Sequence, residues 1–89
     1  MSDSQQLFTE RQWQAIVAGL DIPRRQSEIV CLLMLGMSDK QIAQELGISL
    51  STVRTHLSRL FERFNIGDRV ELILTIFRYY MRNHRRIES

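Results

Sequence analysis

The feature of this chain that most limits its fold is a pair of short helix signals separated by a single glycine, Gly47. Ser38 is followed three residues later by Gln41, and this pattern is a capping box at the start of a helix. Gly47 stands where that helix should end, because a residue without a Cβ adopts a positive φ at little cost. Ser49 can cap a second helix directly afterwards. The spacing predicts two helices joined by a tight turn, which is a helix-turn-helix.

The second helix is expected over about residues 49–65, and it carries one apolar and one polar face. Its apolar side chains recur with the period of an amphipathic helix, at Val53, Leu57, Leu60, Phe61 and Phe64. The opposite face carries small polar or basic side chains, at Ser51, Arg54, Thr55, Ser58 and Arg59. An arginine donates two parallel hydrogen bonds to a guanine, and hydroxyl groups contact bases or phosphates. This face therefore suits a recognition helix in the major groove of DNA, although a solvated helix surface has a similar composition.

The composition restricts the other classes of protein. A chain of 89 residues supports one small domain, and its 44% of hydrophobic and 25% of charged residues are typical of a folded globular protein. The net charge of only +2 means that a DNA-binding surface must come from the arrangement of charges rather than from their excess. The single cysteine, Cys31, excludes an internal disulfide and fits a cytoplasmic protein. Neither a membrane-spanning apolar run nor a signal peptide is recognisable.

No arrangement of residues indicates catalysis. The two histidines, His56 and His84, are far apart in the sequence, and we find no paired carboxylates, metal-ligand spacing or phosphate-binding loop. We therefore expect no enzymatic activity, no cofactor and no metal site. The alternative to a DNA-binding regulator is a protein-interaction module, such as an adaptor or an anti-activator built on a helix-turn-helix core.

Four segments of the chain share their order and spacing with one protein family, and they are residues 22–29, 38–43, 48–57 and 68–72. Their sequences are IPRRQSEI, SDKQIA, ISLSTVRTHL and DRVEL. They resemble the C-terminal DNA-binding domain of the LuxR/FixJ/GerE family of bacterial transcription regulators. The resemblance implies an all-α fold, a tetrahelical helix-turn-helix bundle, to which this chain adds an N-terminal helix. It also implies double-stranded DNA as the partner, with RNA polymerase as a further candidate.

The resemblance implies roles for individual side chains. It puts Arg54, Thr55 and Ser58 at base-reading positions, and the polar face of the helix adds Arg59 to them. Lys40 is expected to contact the DNA backbone. The same role is expected for residues near the start of the recognition helix, namely Ser49, Ser51, Thr52 and His56.

Some of these basic side chains also have purely structural interpretations. Lys40 could contact nothing, and His56 could support the turn. Arg59 and Arg63 could pair with Glu62 or with other acids on the exposed face.

Two positions depart from the family's pattern. Asn65 stands where the recognition helix commonly ends in glycine, and asparagine tolerates the left-handed conformation. Pro23 comes one residue earlier than usual, which removes the side-chain cap of the helix that follows. Asp21 is expected to cap that helix instead.

Segments on either side of the resemblance are predicted to be helical too. Thr9 and Gln12 form a capping box for an N-terminal helix that ends near Leu20. We divide the chain into an N-terminal extension with one helix (1–21), the LuxR-type helix-turn-helix domain (22–82) and a basic, frayed C-terminal tail (83–89).

The last helix of the domain is apolar over more than half of its circumference, which is wider than the face that one small core covers. A second copy of the same helix would cover the remainder. We therefore predict a homodimer that forms through Ile73, Ile76, Phe77 and Tyr80. The N-terminal helix could instead fold over this surface within one chain, and of the two we prefer the dimer.

Overall fold

The computed structural model describes residues 7–88, and every regular element in that part of the chain is a helix. The helices are α1 (Glu10–Leu20), α2 (Arg24–Met34), α3 (Asp39–Leu46), α4 (Leu50–Phe64) and α5 (Arg69–Glu88). The four helices α2 to α5 correspond to the tetrahelical bundle, and α1 is the additional N-terminal helix. The predicted fold class is therefore confirmed.

The core is built from apolar side chains to which all five helices contribute. The most completely buried of those described are Ile16, Ile29, Val30, Ile42, Val53, Leu60, Leu72 and Ile76. The helix α4 packs on both α2 and α3. Its predicted apolar stripe is confirmed, because Val53, Leu57 and Leu60 are buried. Phe61 and Phe64 are half-buried and pack against the edge of the same cluster.

Local capping signals determine where two of the helices begin. The Oγ atom of Ser38 accepts from the backbone N–H of Gln41 at 3.2 Å, and the Gln41 side chain accepts from the backbone N–H of Ser38 at 2.9 Å. Thr9 and Gln12 form the same reciprocal arrangement at the start of α1. Both predicted capping boxes are therefore confirmed.

Three helices end at a residue in the left-handed conformation. Two of these residues have the predicted role, and the third does not. Gly47 ends α3 with φ 67°, and Asn65 ends α4 with φ 56°. Asp21 does not cap α2 as expected, because it adopts φ 55° itself and ends α1. Its carboxylate consequently faces the guanidinium of Arg63 at 3.7 Å. The helix α2 begins after Pro23 without a side-chain cap.

The last helix is longer than the sequence suggests. It continues to Glu88, so residues 83–88 are helical and the expectation of a frayed tail is wrong. The reason is Ile87, whose side chain is buried in the core cluster and holds the basic last turns in place. The division of the chain into extension, domain and tail stays a prediction, and residues 1–6 and Ser89 lie outside the described residues.

The N-terminal helix covers part of the broad apolar surface of α5. Phe8, just before α1, has its ring centroid 5.1 Å from those of both Phe77 and Tyr80. The two helices approach so closely that a Cβ built on Gly19 would overlap the phenol ring of Tyr79. The alternative in which α1 folds over α5 is therefore the one found in the structure.

This packing leaves only part of the predicted dimer surface accessible. Ile76 is fully buried in the core of its own subunit, whereas Phe77 and Tyr80 are half-buried and contact Phe8. A dimer through these residues stays a prediction. Ile73 is half-buried against the same core. The helical wheel shows that α5 is broadly apolar, but it does not show which part of the circumference the subunit itself uses. The large apolar side chains that α5 leaves exposed form another row, which is Val70, Leu74 and Met81.

Candidate nucleic-acid interface

The turn between α3 and α4 sets the angle at which α4 is presented. Gly47 is left-handed, and the backbone N–H of Ile48 reaches back to the Ala43 carbonyl oxygen at 3.0 Å. A Cβ on Gly47 would meet no atom of residues 7–88 within 4 Å, so glycine is needed for its backbone conformation and not for space. Ala43 is buried between α3 and its neighbours, and its small side chain permits their close approach.

Three hydroxyl side chains cluster at the first turn of α4. The Ser49 Oγ atom accepts from the backbone N–H of Thr52 at 3.0 Å and lies 2.7 Å from the Thr52 hydroxyl. The Ser51 hydroxyl lies 3.1 Å from the same Oγ atom. The N-terminus of a helix has unpaired N–H groups and the positive end of the helix dipole, so this cluster is chemically suited to a phosphate.

A shallow, open groove between side chains of α4 runs along the outer face of this helix, and we call it the groove of α4. The residues that line it are Leu50, Ser51, Arg54, Thr55, Ser58 and Arg59. The four predicted base readers are all among them, and all four are exposed. Of the Arg54 side chain, 65% is accessible to solvent. The described lining holds hydroxyl groups, guanidinium groups and one aliphatic side chain, and no carboxylate belongs to it.

Leu50 also lines the groove, although it is not among the predicted site residues. It is the first residue of α4 and is half-buried. Leu50 lies four residues before Arg54, so helical spacing alone is enough to put it on this face. Its chemistry suits contact with the methyl group of a thymine.

A carboxylate that is not among the predicted site residues borders the groove. The Oδ2 atom of Asp39 lies 3.6 Å from the Nε atom of Arg54, and its Oδ1 atom accepts from the Nη2 atom of Arg69 at 2.5 Å. These residues belong to α3, α4 and α5, and Asp39 and Arg69 are 30 positions apart. No local pattern in the sequence could have grouped them.

The residues expected to contact the DNA backbone fall into two groups. Lys40, Ser49 and Ser51 are exposed at the starts of α3 and α4. Thr52 and His56 are half-buried. The Nδ1 atom of His56 is buried and has no hydrogen-bond partner within residues 7–88, so this nitrogen faces the protein and not a phosphate.

Arg59 and Arg63 lie one turn apart on α4 but differ in their surroundings. Arg63 donates to the Leu20 carbonyl oxygen at 2.7 Å and faces Asp21, which ties α4 to the turn between α1 and α2. Arg59 forms no ion pair with any residue between 7 and 88, Glu62 included. The alternative in which Arg63 pairs with an acid on the exposed surface is therefore correct, and the acid is Asp21.

We also considered a reactive thiol, a metal site and a membrane-spanning helix among the described residues. Burial raises the pKa of the Cys31 thiol, and the nearby Glu10 carboxylate adds to the effect, so the thiol stays protonated at neutral pH. A group of three or more potential metal ligands does not occur between residues 7 and 88. Over the same range, no helix is both long enough and apolar enough to cross a membrane.

Known proteins share the part of the chain that forms this groove. The family model described as bacterial regulatory proteins, luxR family, matches residues 22–76, which is more than half of the chain. The transcriptional regulatory protein LiaR of Bacillus subtilis is 33% identical over 63 residues, which cover 71% of this chain and 28% of that protein. The monoamine regulon transcriptional regulator of Klebsiella aerogenes is 45% identical over 49 residues, which cover 55% of this chain and 22% of that protein.

A third relative, the HTH-type transcriptional regulator MalT of Vibrio campbellii, is 37% identical over 54 residues, which cover 61% of this chain and 6% of that protein. The chain thus spans less than a third of each of these relatives. No solved structure matches it. The region matched by the family model contains α2, α3, α4 and the first part of α5, and hence the whole helix-turn-helix. The chain therefore belongs to the luxR family of bacterial regulatory proteins.

Proposed function

We propose that this chain binds double-stranded DNA sequence-specifically, as part of a transcription regulator, with α4 in the major groove. The observation that carries the proposal is the groove of α4, whose described lining exposes two guanidinium and three hydroxyl groups and no carboxylate. The major groove of B-DNA admits one α-helix, and such side chains match the acceptors and donors of its base edges. The family is one of regulatory proteins, which are generally not enzymes, so binding is the activity to test.

The exposed groove residues would read the bases. Arg54 can donate to O6 and N7 of a guanine at the same time, which a hydroxyl group cannot do. Thr55 and Ser58 are exposed on the same face within about one turn of Arg54, and Arg59 extends that face toward the C-terminus of α4. Leu50 would add an apolar contact at the other end.

Groups around the N-termini of α3 and α4 would hold the DNA backbone. The first turn of α4 offers its backbone N–H groups together with the hydroxyls of Ser49, Ser51 and Thr52. Lys40 is exposed at the start of α3 and would reach a second phosphate. His56 could take part only through its other ring nitrogen, Nε2, because Nδ1 is buried. Such contacts fix the position of a helix in the groove but carry no sequence information.

We further propose that two copies bind a two-fold related site. Val70, Leu74 and Met81 are exposed on α5, and their spacings of four and seven residues align them on one face. This row would join two α5 helices, in place of the side chains that the subunit uses internally. Half-sites would then be about one helical turn apart, on the order of 10 base pairs. Such a regulator would act in the cytoplasm, with RNA polymerase as its next candidate partner.

Selection of bound duplexes from a random pool tests the proposal and supplies a target sequence. We expect an enriched motif with two-fold symmetry and an affinity that falls steeply as the salt concentration rises. The selected duplex and a scrambled one are then titrated with the parent protein and with Arg54→Ala. Arg24→Ala is the matched control, because Arg24 is an exposed arginine on α2 and does not line the groove.

We expect Arg54→Ala to lower the preference for the selected duplex by roughly 5- to 150-fold, because a bidentate contact contributes about 1–3 kcal/mol of discrimination. Arg24→Ala should leave the preference unchanged. The second candidate function is a protein-interaction adaptor, which the exposed apolar row on α5 favours. A pool without an enriched sequence, together with equal binding of parent and Arg54→Ala to every duplex, would reject DNA recognition and favour the adaptor.

A further inference from the structure

The side chain of Asp39 contacts both Arg54, which lines the groove of α4, and Arg69 of α5. Asp39 is the first residue of α3, and its side chain is only 16% exposed. One carboxylate oxygen accepts from Arg69 at 2.5 Å, and the other lies 3.6 Å from the Nε atom of Arg54. All three residues line a second open groove beside α4. A largely buried carboxylate is thus shared between an arginine of the recognition face and an arginine of α5.

The two arginines differ in how they contact this carboxylate. The contact with Arg69 is short, and it fixes the carboxylate against α5. The contact with Arg54 is longer, and most of the Arg54 side chain stays exposed. The Nε atom is the inner donor of the guanidinium, so a contact there leaves the two terminal amino groups for another partner. Asp39 therefore restricts Arg54 without engaging the groups that would pair with a guanine.

We propose that Asp39 is a positioning residue that determines sequence specificity, because it holds Arg54 toward a base edge and away from the phosphates. The inference rests on the proposed function, since it assumes that Arg54 reads a base. An unrestrained arginine binds any phosphate within reach, and such contacts do not depend on sequence. A fixed carboxylate beside Arg54 opposes them in two ways, because it limits the freedom of the side chain and its charge repels phosphates. Asp39 thus raises discrimination between duplexes and lowers the affinity for unrelated DNA.

The variant Asp39→Asn tests this role, because asparagine keeps the size of the side chain and removes its charge. The matched control is Glu62→Gln, which also removes one negative charge but lies eight residues beyond Arg54 on α4. Affinities are measured for three duplexes at one salt concentration. They are the selected duplex, the same duplex with one base pair exchanged at the position where Arg54→Gln loses its preference, and an unrelated duplex.

We expect Asp39→Asn to lower the ratio of affinities for the selected and the exchanged duplex by about two- to tenfold, the effect of ordering one long side chain on binding. The affinity for the unrelated duplex should rise, because the carboxylate no longer repels the phosphates. Glu62→Gln should leave the ratio unchanged. In a background that already carries Arg54→Gln, the substitution of Asp39 should have no further effect on the ratio.

A parallel loss of thermal stability and of all three affinities in Asp39→Asn would indicate a role in folding alone and would overturn the inference. A normal ratio in Asp39→Asn, combined with a lost ratio in Arg54→Gln, would overturn it while leaving the proposed function intact. A normal ratio in Arg54→Gln would instead reject Arg54 as a base reader, and the inference with it. Should Asp39→Asn fold poorly, Arg69→Met leaves the carboxylate in place without its anchor. That variant should lower the ratio in the same direction, and an unchanged ratio would overturn the inference.

Discussion

The side-chain amide of Gln12 donates to the carboxylate of Glu88 at 2.6 Å, and this hydrogen bond joins the first described helix to the last turn of α5. The Tyr80 hydroxyl donates to the same carboxylate oxygen at 2.7 Å. The Gln12 amide also donates to the Tyr80 hydroxyl at 3.2 Å. The three side chains close the contact between α1 and α5 with polar groups, beside the rings of Phe8 and Phe77.

We expect this contact to weaken in acid. Hydrogen bonds from Tyr80 and Gln12 hold the pKa of the Glu88 carboxyl below its usual value. A carboxyl whose pKa is lower in the folded state contributes stability at neutral pH, and the contribution is lost as the pH falls through the folded-state pKa. Trp13, the only tryptophan, is buried in α1. Its fluorescence therefore reports the loosening of α1 during a titration from about pH 6 to about pH 3.

The variant Glu88→Gln serves as the control for this titration, because the amide is similar in size and does not ionise. It should lack the part of the acid transition that Glu88 causes, and identical curves for the two proteins would contradict the prediction. The opposite sign holds for Tyr80, since its hydrogen bond to Glu88 raises the pKa of the phenol. Its contribution is complete at neutral pH and is lost only as the pH rises through that pKa.

Gly19→Ala should destabilise the protein although alanine is the better helix former. A Cβ at this position overlaps the Tyr79 ring, so either the ring or α1 must move. Overpacking of this kind costs about 1–3 kcal/mol, whereas the gain in helix propensity is at most about 1 kcal/mol. Urea unfolding measures the balance. In a Tyr79→Ala background the ring is gone, and Gly19→Ala should be neutral or stabilising there. A penalty that persists in that background would show that Tyr79 is not the obstacle.

The features that the sequence predicts correctly are encoded within a few residues. The capping boxes need only a hydroxyl and an amide three positions apart, as at Ser38 and Gln41. The turn needs one residue that tolerates a positive φ, which is Gly47. The groove follows from the same local logic, because the helical period alone brings the side chains that follow Arg54 to one face.

The features that the sequence does not predict depend on contacts between distant residues. The broad apolar face of α5 must be buried, but either α1 or a second copy of the chain can bury it, so its hydrophobicity does not decide between them. The link from Asp39 to Arg69 crosses 30 positions, and both residues have ordinary local neighbourhoods. The buried side chain of Ile87 and the hydrogen bond between Gln12 and Glu88 keep the last turns helical although the surrounding residues are basic. In each case the deciding term is tertiary packing rather than local propensity.

Two substitutions on α5 should separate stability from self-association. Ile76→Ala removes a fully buried side chain and should lower the free energy of unfolding by about 2–5 kcal/mol. Leu74→Glu introduces a charge into the exposed row and should abolish self-association, with a change in stability within about 0.5 kcal/mol. Sedimentation equilibrium at several protein concentrations measures association, and urea unfolding measures stability. If Leu74→Glu associates like the parent protein, the row does not form the dimer contact.

Alanine substitutions of Arg59 and Arg63 should have different effects, the first on DNA binding and the second on stability. Arg63→Ala removes the hydrogen bond to the Leu20 carbonyl oxygen, so the free energy of unfolding should fall by about 0.5–1.5 kcal/mol. The base preference of Arg63→Ala should be the same as that of the parent.

Arg59 has no ion pair with residues 7–88, so Arg59→Ala should leave the free energy of unfolding within about 0.5 kcal/mol of the parent. It should weaken DNA binding and lower the preference for the selected duplex, as a base contact does. A contact to a phosphate would instead weaken binding to every duplex alike and reduce the slope of log affinity against log salt by about one. Thermal unfolding and DNA titrations at several salt concentrations measure both effects. A loss of stability in Arg59→Ala, with undiminished binding, would assign Arg59 to the scaffold rather than to the interface.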